Sequence, residues 1–91
     1  MKDFNLRLFL KTFLPKMKCK PFLQWLADTQ PNLEGHHILG KDWDYLIAKI
    51  TSEQHKEVHA KTPDCMTFEE LLTNAIKNLA NFINYLLNDK T

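Results

Sequence analysis

Four histidines are the residues in this chain whose types and spacing point to chemistry: His36 beside His37, and His55 four residues before His59. Side chains four apart on a helix project from one face, so His55 and His59 can ligate a single metal ion. A strand carrying His36 and His37 that folds back onto that helix brings a third imidazole to the pair. Three imidazoles hold a divalent ion with one position open. The fourth is then free for proton transfer, because an unperturbed histidine titrates near pH ~6.5. An open position that admits water or substrate marks a catalytic metal site. The plainer alternative is four unrelated surface histidines. Either pair alone is a weak signal; on strand, strand and helix in that order, the two together favour a site.

The elements that must position these residues follow from the surrounding pattern. Residues 33–40 read as a strand carrying the chain's only two glycines, and residues 45–50, rich in β-formers, read as a second strand after a loop over 41–44. Thr51 or Ser52 caps a helix over 53–61, with Thr51-x-x-Gln54 as a capping box and Pro63 as the stop. Upstream, Asp3 can cap a helix over 4–14 that places Leu6, Phe9, Leu10, Phe13 and Leu14 at helical spacing and ends at Pro15. A basic connector over 15–20 leads to Pro21, suited to the first turn of a short helix over 22–27.

Thr67-x-x-Glu70 is a second capping box and opens the longest element, within residues 66–89. Phe68, Leu72, Ala75, Leu79, Phe82 and Leu86 recur there at spacings of four and three, and Leu71, Ile76, Ile83 and Leu87 widen the apolar face. Core packing is the commoner fate of such a face; its width leaves a homodimer seam open. The opposite side, with Asn74, Lys77, Asn78, Asn81, Asn84 and Asn88, reads as solvated. Trp25 reads as a core residue and Trp43 as a loop residue.

Composition narrows the remaining classes. Ninety-one residues allow one domain, and 44% hydrophobic with 25% charged residues describes a folded chain rather than a disordered one. Two cysteines, Cys19 and Cys65, are too few for a disulfide scaffold and lack the paired spacing of a zinc ribbon. Twelve Lys and Arg against eleven Asp and Glu exclude an indiscriminate polycation. The charge is nonetheless uneven: residues 1–20 carry six bases against Asp3 alone, ahead of an acidic centre. On charge alone this arm reads as a solvated helix face. No stretch has the length of a membrane span, and Arg7 and Lys11 interrupt the apolar start with no small-residue cleavage site after it. The expectation is a cytoplasmic protein with no membrane partner.

The segment from Glu34-Gly35-His36-His37-Ile38-Leu39 through Asp44 to His59 resembles the ββα-metal core of HNH, or His-Me finger, endonucleases. It is most similar to colicin-type nuclease domains and small phage-encoded HNH proteins. The likeness spans residues 33–61, about a third of the chain. It implies that His36, His55 and His59 hold one divalent ion and that His37 is the general base activating water. It further implies phosphodiester hydrolysis in DNA, with the ion holding a phosphate oxygen and stabilising the leaving 3′ oxygen. An imidazole set suits Zn, Ni or Mn better than Mg.

Two departures from the family pattern stand out. The middle Asn that orients the base is missing; Asp44 or Tyr45 falls near its place, and Asp44 could accept the Nδ1 proton of His37. The Cys-x-x-Cys pairs of many members are also missing. Lys41 and Lys49 in the core, with Lys16, Lys18 and Lys20 in the arm, are candidate phosphate contacts, although a solvated lysine is the plainer reading.

The expectation is therefore a single α+β domain: a helical region over 1–32, a ββα-metal core over 33–61 and an amphipathic helix over 66–89. Its function would be that of a DNA endonuclease of the HNH type. The alternative is an HNH-fold module that binds DNA or protein without cleaving, favoured by the missing Asn and near-neutral charge.

Overall fold

Local signals set the ends of most elements in the computed structural model, which describes residues 5–88. Helix α1 (Leu6–Phe13) is capped by Asn5, whose side chain accepts from the Leu8 N–H at 3.0 Å; Asp3, the expected cap, lies outside the described residues. Helix α2 (Lys20–Thr29) carries Pro21 in its first turn, as expected, and extends beyond 22–27 at both ends. Between α2 and the third helix lie strands β1 (Glu34–His37) and β2 (Ile47–Ile50).

Helix α3 (Ser52–Ala60) opens on the expected capping box: the Gln54 N–H donates to Thr51 Oγ1 and the Thr51 N–H to Gln54 Oε1. It closes at Lys61, in the left-handed region at φ 56°. Helix α4 (Phe68–Asn88) begins with the same exchange between Thr67 and Glu70, at 2.8 and 3.1 Å. Satisfying orphan N–H groups in this way contributes about 1 kcal/mol per cap. No helix of the described residues is long and apolar enough to cross a membrane.

The class is α+β: among the described residues, four helices surround one antiparallel hairpin, with α3 leaving directly from β2. The register pairs Glu34 with Ile50, Gly35 with Lys49, His36 with Ala48 and His37 with Ile47. Both strands are shorter than the expected 33–40 and 45–50. The Ile38 N–H still reaches the Leu46 carbonyl at 3.3 Å, but the chain then turns at Gly40, φ 131°, where a side chain would be strained. Turn bonds from the Trp43 N–H to Gly40 and from the Leu46 N–H to Trp43 coil the connection.

The basic connector is pinned to that loop. The Met17 N–H donates to the Asp42 carbonyl and the Asp44 N–H donates to Met17, a one-residue parallel bridge beside Trp43. Trp43 itself is a correction to its reading as a loop residue. It is 6% exposed, its indole N–H donates to the Leu14 carbonyl, and the Lys11 and Lys16 ammoniums lie 5.5 and 5.6 Å from its ring centroid. Trp25, expected in the core, is only partly buried, packed against Phe82.

Strand alternation divides the core. Ala48 and Ile50 join Ile38, Leu39, Trp43, Leu46, Leu71 and Ala75 in one cluster; Ile47 joins Phe22, Leu26 and Phe82 in the other. Helix α4 spans both, Leu71 and Ala75 serving the first and Phe82 the second. Every residue of β2 is buried.

The apolar face of α4 is narrower than expected: Ile76, Ile83, Leu86 and Leu87 remain exposed. Its amide side is correspondingly less solvated. Asn74 accepts from the Lys49 N–H at 2.8 Å and donates to the Lys49 carbonyl at 3.1 Å, and Asn78, itself buried, donates to the Ile47 carbonyl at 2.9 Å. These backbone groups point away from β1 and would be orphaned without the amides, which explains polar residues on the buried flank.

Candidate metal centre

Alternation along β1 sends His36 and His37 to opposite faces of the hairpin. His36 leaves on the side of its partner Ala48, whose small side chain leaves room for an imidazole, and α3 crosses that side. His55 and His59, one helical turn apart, face it. Ring centroids are 5.2 Å apart for His36 and His55, 5.1 Å for His36 and His59, and 4.7 Å for His55 and His59. Each ring offers a nitrogen within 4.8 Å of those of the other two. Bonds of about 2.0–2.1 Å to a zinc-like ion need the nitrogens somewhat closer, a shift that side-chain torsions supply.

The protonation pattern suits ligation at two of the three. Glu34 Oε1 lies 2.8 Å from His55 Nδ1; a carboxylate only accepts, so Nδ1 carries a proton, and in the neutral ring Nε2 keeps its lone pair. This is the carboxylate–imidazole arrangement that orients metal ligands. His59 Nε2 is 3.0 Å from His55 Nε2, so with His55 in that neutral tautomer His59 is the donor, and ligation through its Nε2 requires the proton on Nδ1. Burial, then the neighbouring His55 and His59, lower the His36 pKa from 6.5 to about 4. His36 is therefore neutral, the form a metal requires.

Beside the three rings opens a cavity of about 270 Å³, lined by His36, His59, Arg7, Lys61, Val58 and Phe68. The Arg7 Nε donates to the Ile38 carbonyl at 3.2 Å, leaving its terminal nitrogens unspent on that bond. The cluster thus adjoins a cationic space on one side.

His37 stands apart from the three rings. Its Nε2 is 2.9 Å from Asp44 Oδ1, and Asp44 Oδ2 accepts from the Cys19 N–H, the N-cap of α2, at 3.1 Å. Asp44 is 5% exposed. Burial alone would raise its carboxyl, but the hydrogen bonds from His37 and the Cys19 amide hold it below the ordinary value. Asp44, not Tyr45, orients the imidazole, since the Tyr45 hydroxyl donates to the Pro15 carbonyl instead. The nitrogen engaged is Nε2 rather than the expected Nδ1, because the ring reaches Asp44 across the loop with its far edge. With Nε2 engaged by Asp44, Nδ1 is the ring nitrogen turned away from the carboxylate.

The candidate phosphate lysines scatter. Lys16 lies against Trp43, and Lys18 donates to the Lys41 carbonyl with its ammonium 3.7 Å from Asp42. Lys20 and Lys41 are exposed. Lys49 is largely buried, 8% exposed, on the face opposite His36.

Glu34, Arg7 and Lys61 escaped the sequence reading. Glu34 had a usable signal, since residues two apart on a strand share a face and Glu34 precedes His36 by two. Arg7 had none; its approach is made across 31 residues of chain. Comparison of the chain with protein-family models, with curated proteins and with solved structures finds no match.

Proposed function

We propose that this protein is a metal-dependent phosphodiesterase, a DNA endonuclease of the HNH type, with His36, His55 and His59 as ligands of one divalent ion. The observation that carries this reading is the convergence of three imidazoles from β1 and α3, His55 oriented by Glu34, at the rim of a cavity containing Arg7 and Lys61. A bound divalent ion supplies Lewis-acid stabilisation of charge developing on phosphoryl oxygens. Imidazole donors favour Zn, Ni or Mn over Mg.

The chain's own residues do the remaining work. Arg7 and Lys61 draw the phosphate into the cavity and neutralise part of its charge. His37 takes the proton of the attacking water at Nδ1, and the buried Asp44 carboxylate supports the imidazolium that results. Lys20 and Lys41 lie free to meet flanking phosphates, each contact strengthening binding at low salt.

Incubating the full chain with supercoiled plasmid and Mn²⁺, Ni²⁺, Zn²⁺ or Mg²⁺ tests the reading. Nicking should require metal, disappear in His36→Ala and fall at least 100-fold in His37→Ala, which keeps its metal. No nicking with any ion, or nicking indifferent to His37, overturns the catalytic assignment.

One observation favours a second reading, an HNH-fold module that binds DNA or protein without cleaving it. His37 leaves β1 on the face opposite the metal ligands, where a base would be poorly aimed. Metal-dependent DNA retention without nicking is the outcome that selects this alternative.

A further inference from the structure

Lys49 poses a physical question that the metal centre does not answer. It is 8% exposed, yet among the described residues its ammonium makes no ion pair and donates no hydrogen bond. The stem is buried while the ammonium still reaches water at the surface, so its charge is left without a counter-ion from the protein. Burial accordingly pushes the Lys49 pKa below the usual lysine value. The stem runs past Gly35, where a Cβ would meet Lys49 Cδ only in ordinary contact at 4.0 Å, the tighter approach being to Ile47 Cγ2 at 3.2 Å.

The ammonium is not sealed in. Lys49 lines a cleft of about 520 Å³ at the junction of α2, β2 and α4, together with Trp25, Gln30, Asn74, Lys77 and Asn81. Its hydrogen-bonding inventory is lopsided. Asn78 spends both amide hydrogens on the Ile47 carbonyl and Asn74 Oδ1. Asn74 gives one hydrogen to the Lys49 carbonyl, and Gln30 gives one to Asn78 Oδ1. One N–H on Asn74 and one on Gln30 are left over. These join the Asn81 amide and two ammoniums, and no carboxylate lines the wall. Such a surface is complementary to an oxyanion, whose lone pairs accept from charged and neutral donors together.

We infer that this cleft is a binding site for a phosphate-class oxyanion, free or carried by a mononucleotide, held by Lys49 and Lys77 with donors from Gln30, Asn74 and Asn81. Trp25 forms an apolar wall at which the base of a nucleotide can rest. The site lies across the hairpin from His36, so it operates without the metal and goes beyond the hydrolase reading.

The test titrates inorganic phosphate and, separately, 5′-deoxyadenylate into the full chain in the presence of EDTA. Binding is followed by calorimetry and by the side-chain amide resonances of Gln30, Asn74 and Asn81. Saturable binding with shifts at those amides is expected, weakened at least tenfold by Lys49→Met and unaffected by Lys18→Met. Deoxyadenylate binding more tightly than phosphate supports the site as a nucleotide subsite beside Trp25; equal affinities support it as a phosphate site. Should Lys49→Met fail to fold, Lys77→Glu on the exposed side of α4 decides, and must also weaken binding at least tenfold. No saturation by either anion at millimolar concentration, or affinity unchanged in both lysine variants, overturns the inference. His36→Ala should abolish metal-dependent cleavage yet leave this binding in place, so the two readings fail separately.

Discussion

Glu34 Oε1 and His55 Nδ1 meet at 2.8 Å across the gap between β1 and α3, tying the strand that carries one candidate metal ligand to the helix that carries the other two. The contact does two things at once: it holds the ring in place and it selects the tautomer whose Nε2 faces the cluster. Replacing Glu34 by Gln keeps the shape but lets the amide present either end, so the preference for one tautomer is lost. Metal affinity should fall 10–100-fold, the usual effect of losing such a partner, with the fold intact. Calorimetric titration of Zn²⁺ into both proteins measures it.

His36 predicts a pH dependence in the metal-free protein. Its folded pKa is about 4 against 6.5 when unperturbed, so between those values the unfolded chain binds more protons than the folded one. Stability should therefore decline as pH falls from 6.5 towards 4, since protonating His36 is penalised only in the fold. His36→Gln should flatten that part of the profile. Urea denaturation in EDTA at several pH values between these limits checks the sign.

Asp44 accepts from two donors at once, the His37 ring and the Cys19 N–H. An asparagine can satisfy only one of them with its oxygen and must turn an amide towards the other. Asp44→Asn should cost about 1–3 kcal/mol, the range for leaving a buried donor unpaired. If the hydrolase reading holds, cleavage should fall by more than the stability loss explains. Thermal melts and plasmid nicking on the same preparation separate the two effects.

Asn78 is the most buried amide of α4 and donates to the Ile47 carbonyl. Asn78→Leu matches its size, yet strands that carbonyl and the Gln30 amide; about 1–3 kcal/mol should be lost. Asn81→Leu, on an exposed position, should change stability by less than about 0.5 kcal/mol. Chemical denaturation of the pair distinguishes a structural amide from a surface one.

Much of this architecture was legible because its signals are local. Thr51 with Gln54 and Thr67 with Glu70 are caps whose partners lie three residues away, and the spacing of His55 and His59 fixes their common face whatever surrounds them. The three-imidazole cluster was legible for the same reason, needing only that the hairpin fold back on α3. What escaped depends on distant contacts. Trp43 is buried because Leu14 and the connector close over it, and nothing within the 41–44 loop announces that. Asn74 and Asn78 carry the composition of a wet face, and only the position of β2 beside α4 turns them inward. The His37–Asp44 pairing was visible as a residue choice, but which ring nitrogen it engages is decided by the path of the loop between them.

The amides of α4 also bear on the open edge of the hairpin. A strand with one flank unpaired is a template on which another chain can add a strand of its own, the usual first step towards aggregation. A sheet of two strands has two such flanks. Asn74 and Asn78 occupy the outer N–H of Lys49 and the outer carbonyls of Lys49 and Ile47, so most of the edge a foreign strand would pair with is already engaged. The remaining flank belongs to β1, four residues long with a charged Glu34 at its start, a poor landing for another chain. Growth of the sheet is stopped by side chains rather than by more strands, which lets a hairpin this small stand beside helices as a finished element.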